Sequence, residues 1–367
     1  VRALAALYVV CAHGVCFSTG VVVRTGLVGL LTNWTLYGHL AVDAFIVLSG
    51  FCLMLPPLYV AMLLCLALKI VGDRLGMVPN NVTWTSLLLN VLLLQDVFPE
   101  ANVVNAVFWS VALEFKIYLF FPLLLAVQRR WGNPATLAVG AALGYGLTGL
   151  YRVLRPDVVL NHSCPWYVLL FTMGMCGAAV AFSPVLARQQ QQQRWRWAWG
   201  GAQASFCLAA FGLFRAFPMV TGSGDVPYFA AGAPLIDPVV GAAFTAFLVL
   251  VGRGFHVSGG VLTAPLRWLS ARPLVFIGTL SYSLYLIHQP FVHLISDLQQ
   301  HFLGSRLPLL AVNAPLGALL YFGFMLPTVL GAAYLFFLLF ERPFLSAPPR
   351  KPAAAAVDVQ HTNVASA

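Results

Sequence analysis

Ten apolar stretches, separated by short polar or basic loops, decide what this chain can fold into. They run over about 1–17, 38–54, 56–71, 107–127, 135–150, 166–183, 199–217, 234–252, 273–295 and 309–340. A helix needs about 20 consecutive apolar residues to cross a bilayer, and the pattern predicts an all-α, polytopic membrane bundle of about ten transmembrane helices. Composition removes the soluble alternative: 60% of residues are hydrophobic and 8% charged, whereas soluble domains carry about 25% charged residues. The run WTSLLLNVLLLQDVF at 84–98 is also apolar. Its Asn90, Gln95 and Asp96 suit an interfacial or re-entrant helix better than a span. Residues 1–346 read as one membrane domain and 347–367, rich in Pro and Ala, as a disordered cytosolic tail.

Arginine placement orients the bundle. The net charge of +9 does not point to nucleic acid, because it is spread over short loops. With a cytosolic N-terminus, the loops at 128–134, 184–198 and 253–272 and the C-terminal tail lie inside, and they hold Arg129, Arg130, Arg188, Arg194, Arg196, Arg253, Arg267, Arg272, Arg342, Arg350 and Lys351. The opposite loops keep Arg24, Arg74, Arg152, Arg155 and Arg306. The positive-inside rule favours this orientation, with both termini cytosolic. The first and ninth segments then run outward, and the second and fourth run inward. The seven cysteines show no C-x-x-C spacing, so neither a disulfide framework nor a metal site is indicated.

Ionisable residues inside apolar helices are costly and face a polar interior. Arg2 and His13 lie eleven residues apart in VRALAALYVVCAHG, close to three helical turns, which puts them on one face about 16 Å apart in depth. A signal peptide with Arg2 as its basic end is the competing reading, but a histidine followed by glycine ends an apolar core poorly. Ser110, Glu114 and Tyr118 share a face at i, i+4 and i+8. Ser281, Tyr285 and His288 share another, and Asp43 lies near the outer end of the second segment. The topology brings His13, Asp43, Glu114 and His288 to a similar depth, which predicts one common cavity. A histidine beside a carboxylate suits a general base and its orienting partner. Each alone suits a helix–helix hydrogen bond as well. Lys116 points away from Glu114 and reads as a snorkelling or helix-pairing residue.

These residues resemble the acyltransferase-3 family of integral membrane acyltransferases along nearly the whole chain. RALAALYVVCAH is similar to the family's arginine–ten residues–histidine signature. AVDAFIVLSGF is similar to its second-helix motif. FWSVALEFKIYLFFPLLL, through Trp109, Ser110, Glu114, Tyr118 and Pro122, is similar to a third, and SYSLYLIHQP to a fourth. The resemblance implies transfer of an acyl group from acyl-CoA, used as co-substrate with no tightly bound cofactor, to a hydroxyl of a carbohydrate or other small acceptor. It implies His13 as base, Glu114 or Asp43 as its orienting or stabilising partner, and Arg2 as donor-binding residue. Ser110, Tyr118, Tyr285 and His288 would line the acceptor site or cavity.

One departure accompanies the resemblance. Relatives usually carry a basic stretch after Ser-Gly-Phe, whereas here SGFCLM runs straight into LPPLYV. The 29 residues at 41–69 are too few for two crossings of about 20 residues each, so a basic segment is expected to be absent at Met54–Leu55. Two rival readings follow. One is a proton-coupled secondary transporter using His13, Asp43 and Glu114, although the inverted repeats common in transporters are not visible. The other is a catalytically inactive family member.

Overall fold

Two apolar cores lie side by side, and two helices stand at the seam between them. The computed structural model describes residues 1–19, 25–48, 55–76, 81–154, 163–183, 193–218, 228–254, 267–303 and 321–345. Among the described residues every regular element is helical. Helix α1 is Arg2–Thr19, α2 Gly26–Thr32, α3 Leu40–Leu48, α4 Leu55–Arg74, α5 Trp84–Val91 and α6 Phe108–Leu154. Helix α7 is Tyr167–Ala181, α8 Gln193–Ala216, α9 Ala233–Gly254, α10 Arg272–Thr279, α11 Ser281–Leu303 and α12 Leu326–Phe336. The first core gathers α1, α4, α11, α12 and the start of α6. The second gathers α6, α7, α9 and one side of α3. Ala41 and Phe108 belong to the first core, while their neighbours Val42 and Trp109 belong to the second.

Contacts fix the relative directions. Arg2 reaches the carbonyl of Leu48 at 3.5 Å, and a Cβ on Gly38 would meet Ala12, so α3 runs antiparallel to α1. Gly278 lies beside Ala3 and His288 beside His13, so α1 and the α10–α11 stretch run parallel. Tyr285 pairs with Ser110 and Gln289 with Val107, so α6 starts antiparallel to α11. These directions match the alternation read from the arginines.

The 47-residue α6 is a hairpin. Gly132 has φ 78° and ψ −178°, a left-handed backbone that suits glycine, and Asn133-Pro134 restarts the helix as proline does near an N-terminus. Lys116 pairs with Asp96, while the Tyr151 hydroxyl donates to the carbonyl of Val97. A continuous helix would hold Lys116 and Tyr151 about 50 Å apart. The two halves therefore double back and supply the segments expected at 107–127 and 135–150.

Three helices among the described residues are long and apolar enough to cross a membrane: Phe108–Leu154, Ala233–Gly252 and Gly323–Phe344. Arg2–Val15 and Tyr167–Ala181 are apolar but shorter. Phe108–Leu154 counts once here although it is the hairpin of two expected segments, and ten separate long apolar helices are not seen among the described residues. Helix α11 has 23 residues, but His288, Gln289, His293 and Asp297 lower its apolar character. The join at Met54–Leu55 lies at the edge of 49–54, outside the described residues.

The segment at 84–98 does not form a long helix. Thr83 and Ser86 cap α5 reciprocally, and the chain turns at Leu93, whose φ is 57°. Trp84, Leu88, Val91 and Leu92 stay exposed, while Asn90, Gln95 and Asp96 are buried. Asn90 donates to the carbonyls of Ser86 and Ala101 at 2.8 Å each, and Gln95 donates to that of Phe108 at 3.1 Å. The polar residues that argued against a span are the ones that hold this short helix to the bundle.

Small residues bring the helices of the second core together, as is common where apolar helices pack. A Cβ on Gly174 of α7 would lie 2.2 Å from the Val47 carbonyl oxygen of α3, whereas one on Gly146 would meet nothing within 4 Å. Gly174→Ala should therefore destabilise the protein by about 1–3 kcal/mol. Gly146→Ala should leave stability unchanged or raise it by about 0.5–1 kcal/mol. Thermal unfolding of both variants in one detergent checks the contrast.

Candidate functional site

Two histidines from opposite ends of the chain meet in the first core. His13 Nδ1 and His288 Nε2 are 2.9 Å apart, with the rings stacked at 5.0 Å. His288 is fully buried, and its Nδ1 lies 2.7 Å from the Tyr285 carbonyl and 3.2 Å from that of Leu284. Carbonyls only accept, so His288 Nδ1 carries a proton. In neutral imidazole the other nitrogen is then an acceptor. His288 Nε2 therefore accepts from His13 Nδ1–H, which leaves the lone pair of a neutral His13 on Nε2. The pair forms because His288 lies three and four residues after the two carbonyls that hold it, one turn along its own helix. His13 is brought opposite by the packing of α1 on α11.

Further polar pairs continue along the α6–α11 contact. Ser110 Oγ and the Tyr285 hydroxyl are 2.6 Å apart, and each also lies 3.3 Å from the Val107 carbonyl. Tyr118 donates to Glu114 Oε1 at 2.6 Å. Arg2, Ser110, Glu114, Ser281, Tyr282 and Tyr285 line one narrow cavity with Val42, Phe45 and Ile46. A second, larger cavity of about 300 Å³ lies further along α11, lined by Lys69, Asn105, Gln289, His293 and Asp297 among others. His288 sits on α11 between Tyr285, which lines the first cavity, and Gln289, which lines the second. His293 is within electrostatic range of both His13 and His288.

The structure thus groups the expected residues differently from a single common cavity. His13 meets His288. Arg2 and Glu114 share the smaller cavity with Ser110 and Tyr285. Tyr118 joins through Glu114. Asp43 stands apart: it is fully buried and clusters with His39 and Asp237. Helical rotation explains the correction. Asp43 lies two residues, about 200°, from Phe45 on α3, and Phe45 is the residue that packs on Tyr285. Topology carried the relative directions of the helices, but neither the depth of Glu114, which lies with Arg2 and Ser281, nor rotation about an apolar helix.

Other polar residues have structural partners. Lys116 forms its ion pair with Asp96, the helix-pairing alternative. Glu341 is buried and accepts from the backbone and hydroxyl of Ser283, which pins the chain after α12 to α11. Sequence reasoning passed over Lys69, His293, Asp297, His39 and Asp237. The last is the most detectable, as a lone carboxylate within the apolar stretch 234–252.

The family model described as an acyltransferase domain, Acyl_transf_3, matches residues 1–338. The chain belongs to the acyltransferase-3 family. Acyltransferase MdmB of Streptomyces mycarofaciens is 25% identical over 296 residues, covering 70% of this chain and 69% of that protein. No solved structure matches. Membership of the acyltransferase-3 family makes this a membrane-embedded acyltransferase, and its apolar helices fit that setting.

The proton assignment at the histidine pair is directly measurable. Nitrogen NMR of the protein labelled at histidine should find both His13 and His288 protonated on Nδ1 near neutral pH, with acceptor-type Nε2 atoms. A proton on His288 Nε2 would reverse the direction of the bond and remove the lone pair from His13 Nε2.

Proposed function

We propose that this protein is a multi-pass membrane O-acyltransferase that moves an acyl group from acyl-CoA to a hydroxyl of a carbohydrate or other small acceptor. The hydrogen bond between His13 and His288 carries the reading. It orients a neutral imidazole with an accepting Nε2, which is what a general base for a hydroxyl needs. As the acceptor oxygen attacks the thioester carbonyl, His13 Nε2 takes the hydroxyl proton. When the tetrahedral intermediate collapses and the carbon–sulfur bond breaks, His13 returns that proton to the departing thiolate of CoA. An acyl-histidine intermediate uses the same nitrogen as nucleophile.

The surroundings support a division of labour. Arg2 lies at the end of the smaller cavity farther from His13 and offers charge-assisted hydrogen bonds to the anionic donor. Ser110 and Tyr285 carry hydroxyls beside His288 that suit a developing oxyanion. Glu114, held by Tyr118, lines the same cavity as Arg2, on the donor side. The cavity with Lys69, Asn105, His293 and Asp297 offers donors and acceptors suited to a hydroxylated acceptor. In the proposed topology both termini are cytosolic, so donor and acceptor approach His13 from opposite faces of the membrane.

His13→Ala should lower acyl transfer by roughly 100- to 10,000-fold, with the protein still folded and membrane-inserted. His288→Ala should lower turnover with little change in the apparent KM for acyl-CoA, because it removes the acceptor that orients His13. Substantial turnover by His13→Ala would exclude this residue as the base.

The inactive-member reading draws on the 29 residues at 41–69, too few for two crossings of about 20 residues each. Inserting a basic segment of roughly 15–30 residues at Met54–Leu55, long enough for a turn and completion of a helix, should raise acyl-CoA affinity and turnover. Binding and turnover by the present chain equal to those of the lengthened one would show the segment to be dispensable.

A further inference from the structure

The cluster around Asp43 lies in the second core, on the far side of α3 from the histidine pair. One ligand-capable atom from each of His39, Asp43 and Asp237 falls within 4.8 Å of the others. His39 precedes α3, Asp43 lies on α3 and Asp237 on α9. Asp237 Oδ2 accepts from Trp166 Nε1 at 2.8 Å and lies 3.5 Å from His39 Nε2. Asp237 Oδ1 accepts from the Tyr228 hydroxyl. The Tyr167 hydroxyl is 2.7 Å from His39 Nε2.

The independent observation is at Asp43. Its side chain is fully buried, and neither carboxylate oxygen has a hydrogen-bond partner. The Tyr167 hydroxyl lies close enough for a loose hydrogen bond to Asp43, but its close contact is to His39 Nε2, and no well-formed bond reaches either Asp43 oxygen. A buried carboxylate without partners is costly, and a second carboxylate nearby adds repulsion. The remaining Asp237 partners, Trp166 and Tyr228, are neutral. A dipositive ion would offset both carboxylate charges and use the orphaned oxygens.

We infer that His39, Asp43 and Asp237 form a binding site for one divalent metal ion of zinc-like chemistry. One imidazole nitrogen and two carboxylate oxygens suit zinc better than magnesium or calcium, which favour all-oxygen shells. Carboxylate oxygens have lone pairs to spare, so Asp237 can keep its hydrogen bonds from Trp166 and Tyr228 while it ligates. Those bonds would orient the carboxylate, as outer partners do around bound metals. The Tyr167 hydroxyl, 2.7 Å from His39 Nε2, offers a further oxygen for a fourth position. The His39 side chain keeps 9% exposure, which gives the ion a way in.

The ion's role is positional. It would join α3 to α9 across α7, and its His39 ligand stacks on Trp109 at 5.9 Å with ring planes 7° apart. Trp109 adjoins Ser110, and Asp43 lies on the same short helix as Phe45. The site would thus hold two helices that line the smaller cavity while standing outside the chemistry. It does not depend on the acyl-transfer reading, and its test uses no activity measurement.

The test uses tag-free, full-length protein in detergent, stripped with a chelator and titrated with zinc chloride. Elemental analysis should find about one zinc per chain after reloading, and reloading should raise the apparent melting temperature by about 5–10 °C. Asp43→Asn and Asp237→Asn should each weaken zinc binding at least about 100-fold. Glu114→Gln, outside the cluster, should bind like the parent. No stoichiometric zinc in the reloaded parent protein, whether or not the variants fold, would overturn the site. So would retention of parent-like binding in both Asp variants.

Discussion

The hydrogen bond between His13 and His288 joins residues 275 positions apart, and much of the first core depends on the contact it marks. Helix α1 can lie along α11 only if the polar edges of both face each other, because neither histidine can be left in an apolar environment without a partner. Once α11 is in place, its next polar residues organise the neighbouring chain. Gln289 accepts from the backbone of Val107, and the Leu286 carbonyl accepts from Asn105. Ser283 bonds to Glu341. The start of α6 and the helical continuation after α12 are therefore held by α11 through hydrogen bonds that have no competitor in an apolar environment. Polar residues that make α11 a poor membrane span by composition make it the organising element of the bundle.

Much of this was legible because helical spacing is a local property. The register of Ser110, Glu114 and Tyr118 could be read from their order, and the Tyr118–Glu114 bond follows from i, i+4 neighbours. Helix directions followed from the arginines. The hairpin inside α6 was legible as two apolar segments divided near Trp131-Gly132-Asn133-Pro134. What the sequence did not carry was rotation. Helix α3 is apolar on nearly every side, so its pattern gives no preferred face, and Asp43 looked free to join His13. Its actual neighbours, His39 and Asp237, are fixed by close packing around Gly174 and Gly241. Such contacts depend on which glycine meets which backbone, and that information is spread over three helices.

The two cores are used differently. In the first, polar residues line two cavities near the histidine pair. In the second, Asp237 is enclosed by Trp166, Tyr228 and His39, and the residues around it include some of the largest buried side chains: Trp166, Tyr167 and Tyr228. A reaction site needs access and a charge distribution that changes during turnover. The second cluster has little of that access, since Asp43 and Asp237 are both fully buried. A fixed counter-charge suits it better than a reacting substrate.

This difference places a particular demand on α3. Side-on contacts set its position. One side sends Phe45 against Tyr285, and the opposite side sends Asp43 toward Asp237. Its Leu48 carbonyl receives Arg2. Rotating α3 by one residue, about 100°, would break all three contacts together: it would swing Phe45 off Tyr285, turn Asp43 away from Asp237 and shift the carbonyl that meets Arg2. The shape of the smaller cavity therefore depends on groups that do not line it.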